Sequence, residues 1–553
     1  MTDADGDKST LSFEVWTTDA NGNAKDRVKL TDSNAYGVLV SEAVPSGGTA
    51  EVPVAYGVLT PGVTYTFRTS AFDGSLYETD WSPYAKFRIN PYVTFPAPQA
   101  SSTIDSVAQT EQEIFRSAQG SSFAQSVEGK QNCSAPDAKG RTLCIKFRPA
   151  SKGDAKPAVS PLADVGDVLP WCLSKASGHA YMNRTDACLR DLGSAELIFM
   201  SSDPDQPPLG IASFNFEQRL KAYPNKGASG SDFAEFDQQL FVTPTHIDSA
   251  LKGVNLYWRT GTECSSCDVA PLQWKAYGGT TPDDGRWASG EEGEAATQIA
   301  NVMTKWTGTG KETIGLNWSV TGSVDISDAR ATADFGSNGT QLAVRCDDIL
   351  NGSSPGCVLP HFTPVYAVDT NLYPAAGAYY WLMQHKMPGF PGTGDAPLHY
   401  LGPDTTVKNS KGEPWTGDDS RGRVCPSTWT AHVSDAALGK LTCDEFSMAS
   451  THESGGFPGP NQVTSGDDCA QLFADKSGSA FGLFADTRKA SNGPSWKEKC
   501  GRASITDTQN SGAFKKFPAP AWRMLDNDAF YLSNPGFEHC ANANTTCAWK
   551  KIG

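Results

Sequence analysis

The sequence has no stretch approaching 18 consecutive apolar residues, which excludes a transmembrane helix, and no membrane insertion is expected. It has no basic excess either. Lys+Arg 46 against Asp+Glu 62 leaves a net charge of −16, which argues against a protein that coats nucleic acid by bulk charge. The 8 histidines are scattered singly, with no HxH or HxxxH, so a histidine-built metal centre has no local support. No internal repeat of 20–50 residues is present, and nothing resembles a helix-turn-helix or a zinc finger. The opening MTDADGDKST lacks the basic segment and short apolar run of a secretory leader.

What is there describes a globular chain. At 553 residues, 39% hydrophobic and 20% charged, it has material for three or four domains of about 150 residues. Gly 53 and Pro 35 favour turns, while 14 tryptophans and 26 phenylalanines suit pleated, half-buried surfaces. The 14 cysteines fall as near neighbours: Cys133/Cys144, Cys172/Cys188, Cys264/Cys267, Cys346/Cys357, Cys425/Cys443, Cys469/Cys500 and Cys540/Cys547. Seven local disulfides and an oxidising compartment are the economical expectation. Set beside the missing leader, this predicts a secreted, extracellular protein seen as a mature form or a fragment of a longer precursor.

Along the chain, residues 1–92 alternate in period two, with Leu11, Phe13 and Val15 on one face and Val63, Tyr65 and Phe67 repeating the pattern. Asn21-Gly22, Pro45 to Gly48 and Pro61-Gly62 mark turns. The stretch from Pro61 to Ile89 resembles the last strands of a fibronectin type III-like sandwich, which implies Tyr65, Trp81 and Phe87 as core residues. Asp3, Asp5 and Asp7 have the spacing of calcium ligands, but Gly6 is misplaced for an EF-hand loop, so a solvated turn is expected. Residues 93–135 read as a Pro/Ser/Ala/Gln-rich linker with one short helix around Glu111 to Ser117. Residues 136–385 read as a disulfide-bearing β-rich domain, a second sandwich at roughly 140–350, with strand-like runs at 144–148, 210–223, 233–244, 254–260 and 313–322. A Gly/Pro-rich connection, 386–424, leads to a last segment, 425–553. The fold class expected is mainly β upstream, two β-sandwich-like domains, followed by a C-terminal α+β domain.

Two motifs have plain structural explanations. Cys264-Ser-Ser-Cys267 has zinc-ligand spacing, but without a second pair it reads as a disulfide, within the motif or to another strand. Gly352-Ser353-Ser354-Pro355-Gly356 fits the GxSxG pattern, but it lies between Cys346 and Cys357 and reads as a disulfide-closed turn.

The segment 443–456, CDEFSMASTHESGG, is different. On a strand, Asp444 and Glu445 point to opposite faces, and Glu453 arrives just before a Gly-Gly turn. Clustered carboxylates at a sheet rim suit a hard divalent cation, which orients and activates water against a phosphodiester. The alternative is a solvated strand end with three unrelated acids.

This string resembles the signature of the NucA/NucB deoxyribonuclease family: an Asp-Glu-aromatic-Pro run, a small-residue strand and a Glu-Gly-Gly. SITDTQNSGAFKKF at 504–517 and WRMLDNDAFYL at 522–532 resemble its second and third elements, in the same order. The resemblance spans about 425–535 and implies a reduced ββα-metal-like nuclease domain that cleaves DNA with Mg²⁺ or Mn²⁺. Carried over by position, it implies Asp444 as general base, Glu445 as a residue positioning ligands or water, and Glu453 closing the active centre. Glu453 and Asn510, the latter at a helix start, would hold the metal, with Arg523, Lys515 and His452 toward the substrate. Ser447 stands where the family has Pro, Ser454 where it has the first Gly, and Gln509 where it has Asp. The leading expectation is a sequence-nonspecific endodeoxyribonuclease. The alternatives are a cell-surface adhesion or carbohydrate-binding protein with a degenerate nuclease-like end, whose partner is a surface polymer, and a nuclease toxin matched by an immunity protein. Residues 421–553 carry 14 Lys+Arg against 13 Asp+Glu, so the acidity belongs to the upstream region.

Overall fold

The computed structural model describes residues 6–55, 58–60, 63–74, 80–108, 111–113, 131–148, 169–203, 205–227, 230, 232–262, 264–276, 284–336, 342–432, 439–477, 480–489, 493–540 and 546–552. The chain is mainly β, with three α-helices among these residues. It divides into two compact units, each discontinuous in sequence: Met1–Val107, Val365–Phe517 and Ala529–Gly553 in the first, Ala108–Pro364 and Pro518–Asp528 in the second. Sequence order had suggested five consecutive segments.

In the first unit the amino-terminal residues form a five-stranded sheet. Thr10–Thr18 pairs with Ala24–Val28, Leu39–Val40 and Thr64–Phe72, and the last pairs with Ala85–Arg88. Val15, Leu30 and Tyr65 are its buried core, with Val63, Phe67 and Phe87 packed against them. Trp81 departs from expectation. It lies outside that core, 4.6 Å from the Arg68 guanidinium, whose charge also faces the rings of Trp16 and Tyr84 and pairs with Glu14 at 2.9 Å. Asp3, Asp5, Pro61 and Gly62 lie outside the described residues.

The second unit is a β-sandwich covering the stretch expected to form one. A ten-stranded sheet is built on Asp186–Met200, Gly210–Ala222, Ala234–Ile247 and Gln298–Trp306, and a six-stranded sheet on Gly253–Thr262 and Lys311–Val324. Alternate residues of both inner faces, Phe214, Phe236, Trp258, Trp287 and Trp318 among them, merge into one core. The helix expected near Glu111 is not seen: Gln112–Glu113 pairs as a strand with Ala180–Met182, and 114–117 lie outside the described residues. Gly352 to Gly356 is the turn joining two strands closed by the Cys346–Cys357 bridge.

The remainder of the first unit is α+β. A six-stranded sheet runs Leu441–Phe446, Gly501–Thr506, Ala470–Ser477, Ala480–Ala485, Val93–Phe95, Cys547–Ala548. A smaller one runs Val365–Ala367, Ala529–Ser533, Leu398–His399. Helix α1, Pro374–Lys386, begins with Pro at its first turn and is buried from Pro374 through Gln384, as an apolar helix must be. Helix α2, Gly417–Val424, starts in a capping box between Thr416 and Asp419. Helix α3, Asp507–Ala513, follows directly from Gly501–Thr506. So the segments 365–386 and 386–424, read from sequence as domain end and connection, supply two of the three helices.

All seven cysteine pairs form the disulfides expected from their spacing, and no cysteine is free. Among the described residues no helix is long and apolar enough to cross a membrane.

Candidate active site

Among the described residues the strand Leu441–Phe446 sits at a sheet edge, paired with Gly501–Thr506 alone, so Asp444 lies opposite Ala503 and Glu445 opposite Arg502. Alternation sends the two acids to different faces, and each meets a different helix. The Tyr380 hydroxyl of α1 donates to Asp444 Oδ2 at 2.9 Å, while Asp444 Oδ1 accepts the Glu445 N–H at 2.8 Å. On the other face Arg421 of α2 reaches Glu445 Oε1 at 3.1 Å. The second oxygen, Oε2, is buried and has no hydrogen-bond partner among the described residues. Both residues are 5% exposed. Burial pushes each carboxyl up to about 7, for Asp444 against the Tyr380 and backbone hydrogen bonds, for Glu445 against Arg421 and with help from the Asp444 charge.

Covalent and steric constraints fix this strand. The Cys425–Cys443 disulfide ties the end of α2 to the residue before Asp444. Beyond Phe446 the chain turns back, and the Leu401 N–H donates to the Ser450 carbonyl while the His452 N–H donates to the His399 carbonyl. The Gly-Gly after Glu453 is a packing requirement. A Cβ on Gly456 would lie 2.0 Å from the Ser420 carbonyl oxygen, and one on Gly455 would lie 2.8 Å from the Cys500 side chain. Ser454 is buried, and its hydroxyl accepts the Gly456 N–H at 3.2 Å.

Glu453 has a partner that sequence spacing did not reveal. His399 Nδ1 lies 2.6 Å from Glu453 Oε1, and the His399 N–H donates to Oε2 at 2.8 Å. Because a carboxylate only accepts, Nδ1 carries the proton, and this bond raises the His399 pKa against its partial burial. Asn510 is the fourth residue of α3 rather than its start. Its amide donates to the Cys443 carbonyl at 2.8 Å and to Thr442 Oγ1 at 3.2 Å, which fixes the helix beside the acid-bearing strand. Gln509 tethers α3 to α1, accepting the Ala375 N–H and donating to the Leu372 carbonyl, both at 2.9 Å. Gln509 therefore has a structural role, since its amide supplies both the acceptor and the donor of this tether, which an ionised carboxylate could not.

Of the three residues assigned to substrate, Lys515 is exposed just past α3, and His452 is half-buried with its ring 4.5 Å from that of Phe457. Arg523 is not where a phosphate contact needs it. It is fully buried in the second unit, bonded to Asp347 at 2.8 Å and to the Pro224 and Ser354 carbonyls. Asp528 of the same motif takes Arg184 at 2.6 Å and Arg345 at 2.6 Å. A guanidinium with five donors and no water must spend them on protein oxygens, and here it does. Arg523 and Asp528 are thus ion-paired anchors of the second unit, while Ala529–Ser533 is a strand of the first.

The acids do not form a protein cage for a metal. Among the described residues one trio of His, Cys, Asp or Glu has its ligand atoms within 4.8 Å of one another, Cys172, Cys188 and Glu217, and its cysteines are joined in a disulfide. Asp444, Glu445 and Glu453 are no such trio. Their hard oxygen donors and the unpartnered Glu445 Oε2 fit a cation held through one carboxylate with water completing its shell, the usual habit of Mg²⁺.

No protein-family model matches the chain, and no curated protein does. Among solved structures, the GAE domain of GGA2p from Saccharomyces cerevisiae aligns with 23% of this chain and 92% of its own at 11% identity. Its TM-score of 0.14 gives that likeness no weight.

Proposed function

We propose that the protein is a secreted, metal-dependent endodeoxyribonuclease whose active centre is built around Asp444 and Glu445. The observation that carries this reading is the adjacent buried acid pair, both carboxyls pushed up to about 7 and one oxygen left without a donor. Buried acids so displaced are costly to keep unless they serve chemistry, and they cluster at functional sites. The three ordered elements of the NucA/NucB signature support the substrate class, and seven disulfides support an oxidising, extracellular setting.

In this reading Asp444 takes the proton from a water attacking the phosphodiester, its pKa lying near a neutral operating pH and its position held by the Tyr380 hydroxyl. Glu445 is the residue that would hold Mg²⁺ or Mn²⁺, through its unpartnered oxygen, with water completing the ion's shell. When bound, the ion supplies charge neutralisation at the phosphate and a more acidic water. Arg421, 57% exposed in its side chain and already turned to Glu445, is placed to meet a phosphate oxygen in Arg523's stead.

The test is plasmid nicking by the full chain with and without EDTA, beside Asp444→Ala and Glu453→Ala. Loss of nicking on chelation and in Asp444→Ala supports the reading. Undiminished digestion by both variants refutes the site. The burial of Arg523 and Asp528 in an internal ion network favours one second reading, a degenerate nuclease-like end on a surface-binding protein. Polysaccharide or cell-wall binding without nicking by the unaltered chain would establish that reading instead.

A further inference from the structure

The sandwich of the second unit carries polar side chains where its pattern calls for apolar ones. On Gly210–Ala222 the inward row reads Phe214, Phe216, Gln218, Leu220, and on Ala234–Ile247 it reads Phe236, Gln238, Leu240. Gln218 pairs with Leu240 and Leu220 with Gln238, so the two glutamines are diagonal neighbours on one face. Phe236 pairs with Thr304, which puts that hydroxyl diagonal to Gln238 on the other side. Across the core, Trp258 pairs with Val320 and Thr260 with Trp318, so the two indoles are also diagonal neighbours. Trp318 Nε1 donates to Gln238 Oε1 at 2.7 Å and joins the two sheets at this level.

Gln218, Gln238 and Thr304 are 0% exposed and Trp258 is 1% exposed. Yet both amide atoms of Gln218, Gln238 Nε2, Thr304 Oγ1 and Trp258 Nε1 have no hydrogen-bond partner among the described residues. One such orphan is common enough; here five lie on the inner faces of one apolar core, on diagonally neighbouring positions of three adjacent strands and on the facing sheet, and each forfeits the hydration it would keep in water.

We propose that these residues form an internal polar site that binds ordered water bridging the two sheets. The set is rich in donors, with Gln218 Oε1 and the Thr304 hydroxyl as its free acceptors. That suits a ligand able both to accept and to donate. The flanking inward positions are apolar, so nothing offsets a net charge, and an ion is disfavoured. Water, with two donors and two acceptors, can bond an amide, an indole or a hydroxyl alike, so ordered waters along this face suit all three kinds of group.

The experiment is high-resolution diffraction from the full chain, together with thermal unfolding of Gln218→Leu. Water oxygens within hydrogen-bonding distance of Gln218 Oε1 and of Gln238 Nε2 or Trp258 Nε1 are expected. So is a lowered Tm for Gln218→Leu, since removing one wall of a hydrated site strands the others. A core without water there, with the two glutamine amides bonded directly to each other, overturns the proposal. A raised Tm in Gln218→Leu overturns it equally, because leucine would then only remove unpaired polar atoms. If the variant fails to fold, the diffraction result decides alone.

Discussion

His399 Nδ1 stands 2.6 Å from Glu453 Oε1 although the two residues are 54 positions apart. The bond assigns the Nδ1 proton and holds the imidazolium form. The His399 pKa, measured by NMR titration, is therefore expected above the ordinary value near 6.5, and Glu453→Gln should bring it down. The stability this pair lends is complete below pH about 6.5 and is lost as pH rises through the raised folded value. An unchanged His399 titration in Glu453→Gln would refute the pairing.

Asp444 and Glu445 give the opposite of the usual carboxylate behaviour. Their folded pKa values lie near 7, above the unfolded values near 4, so their contribution to stability is present below pH about 4 and is lost as pH rises through 7. Thermal unfolding between pH 5 and 8, a range chosen at about these values, should show Tm falling with pH in EDTA. Asp444→Asn with Glu445→Gln should flatten that profile. Added Mg²⁺ should restore stability at the upper end in the unaltered protein only.

For Arg523, buried pairing predicts a defect in folding rather than in DNA contact. Arg523→Ala strands Asp347 and should cost roughly 3–5 kcal/mol. The slope of DNA affinity against salt, which counts phosphate contacts, should stay unchanged in whatever fraction remains folded. A slope reduced by about one would return Arg523 to the phosphate.

Gly456→Ala tests the tight approach of the turn to α2. Its Cβ would meet the Ser420 carbonyl oxygen, a backbone atom with no rotamer to yield, so a loss of about 1–3 kcal/mol is expected. Gly459→Ala, whose Cβ would have its nearest neighbour at 3.8 Å, is the control and should leave Tm almost unaltered.

Much of the fold could be read locally. Cysteine spacing gave all seven bridges because each closes a short loop, the longest joining residues 31 apart. Period-two runs marked the sandwich strands for the same reason: pleat alternation is written in adjacent residues. The acid-bearing strand and the helix after Gly501–Thr506 were also legible. What escaped lies in non-local partners. Tyr380 is 64 residues from Asp444, and Arg421 is 24 from Glu445 on a helix inside a segment that composition marks as a connection. Arg523 was misread because sequence shows a charge but not its burial. Trp81 was misread because an aromatic beside an arginine can stack on the cation instead of entering the core.

The strand Val93–Phe95 has a consequence for how the chain is made. It pairs with Ala480–Ala485 on one side and with Cys547–Ala548 on the other. Every disulfide can close within a few dozen residues of synthesis, yet the partners of this strand lie 386 residues on (Phe481 opposite Phe95) and 454 residues on (Cys547 opposite Val93). Assembly is therefore split in time, with covalent closure early and completion of this sheet last. Until then two unpaired strand edges are open, and aggregation before completion is the hazard to expect. Release of the carboxyl-terminal residues, not oxidation, sets the moment at which the sheet bearing Asp444 can close.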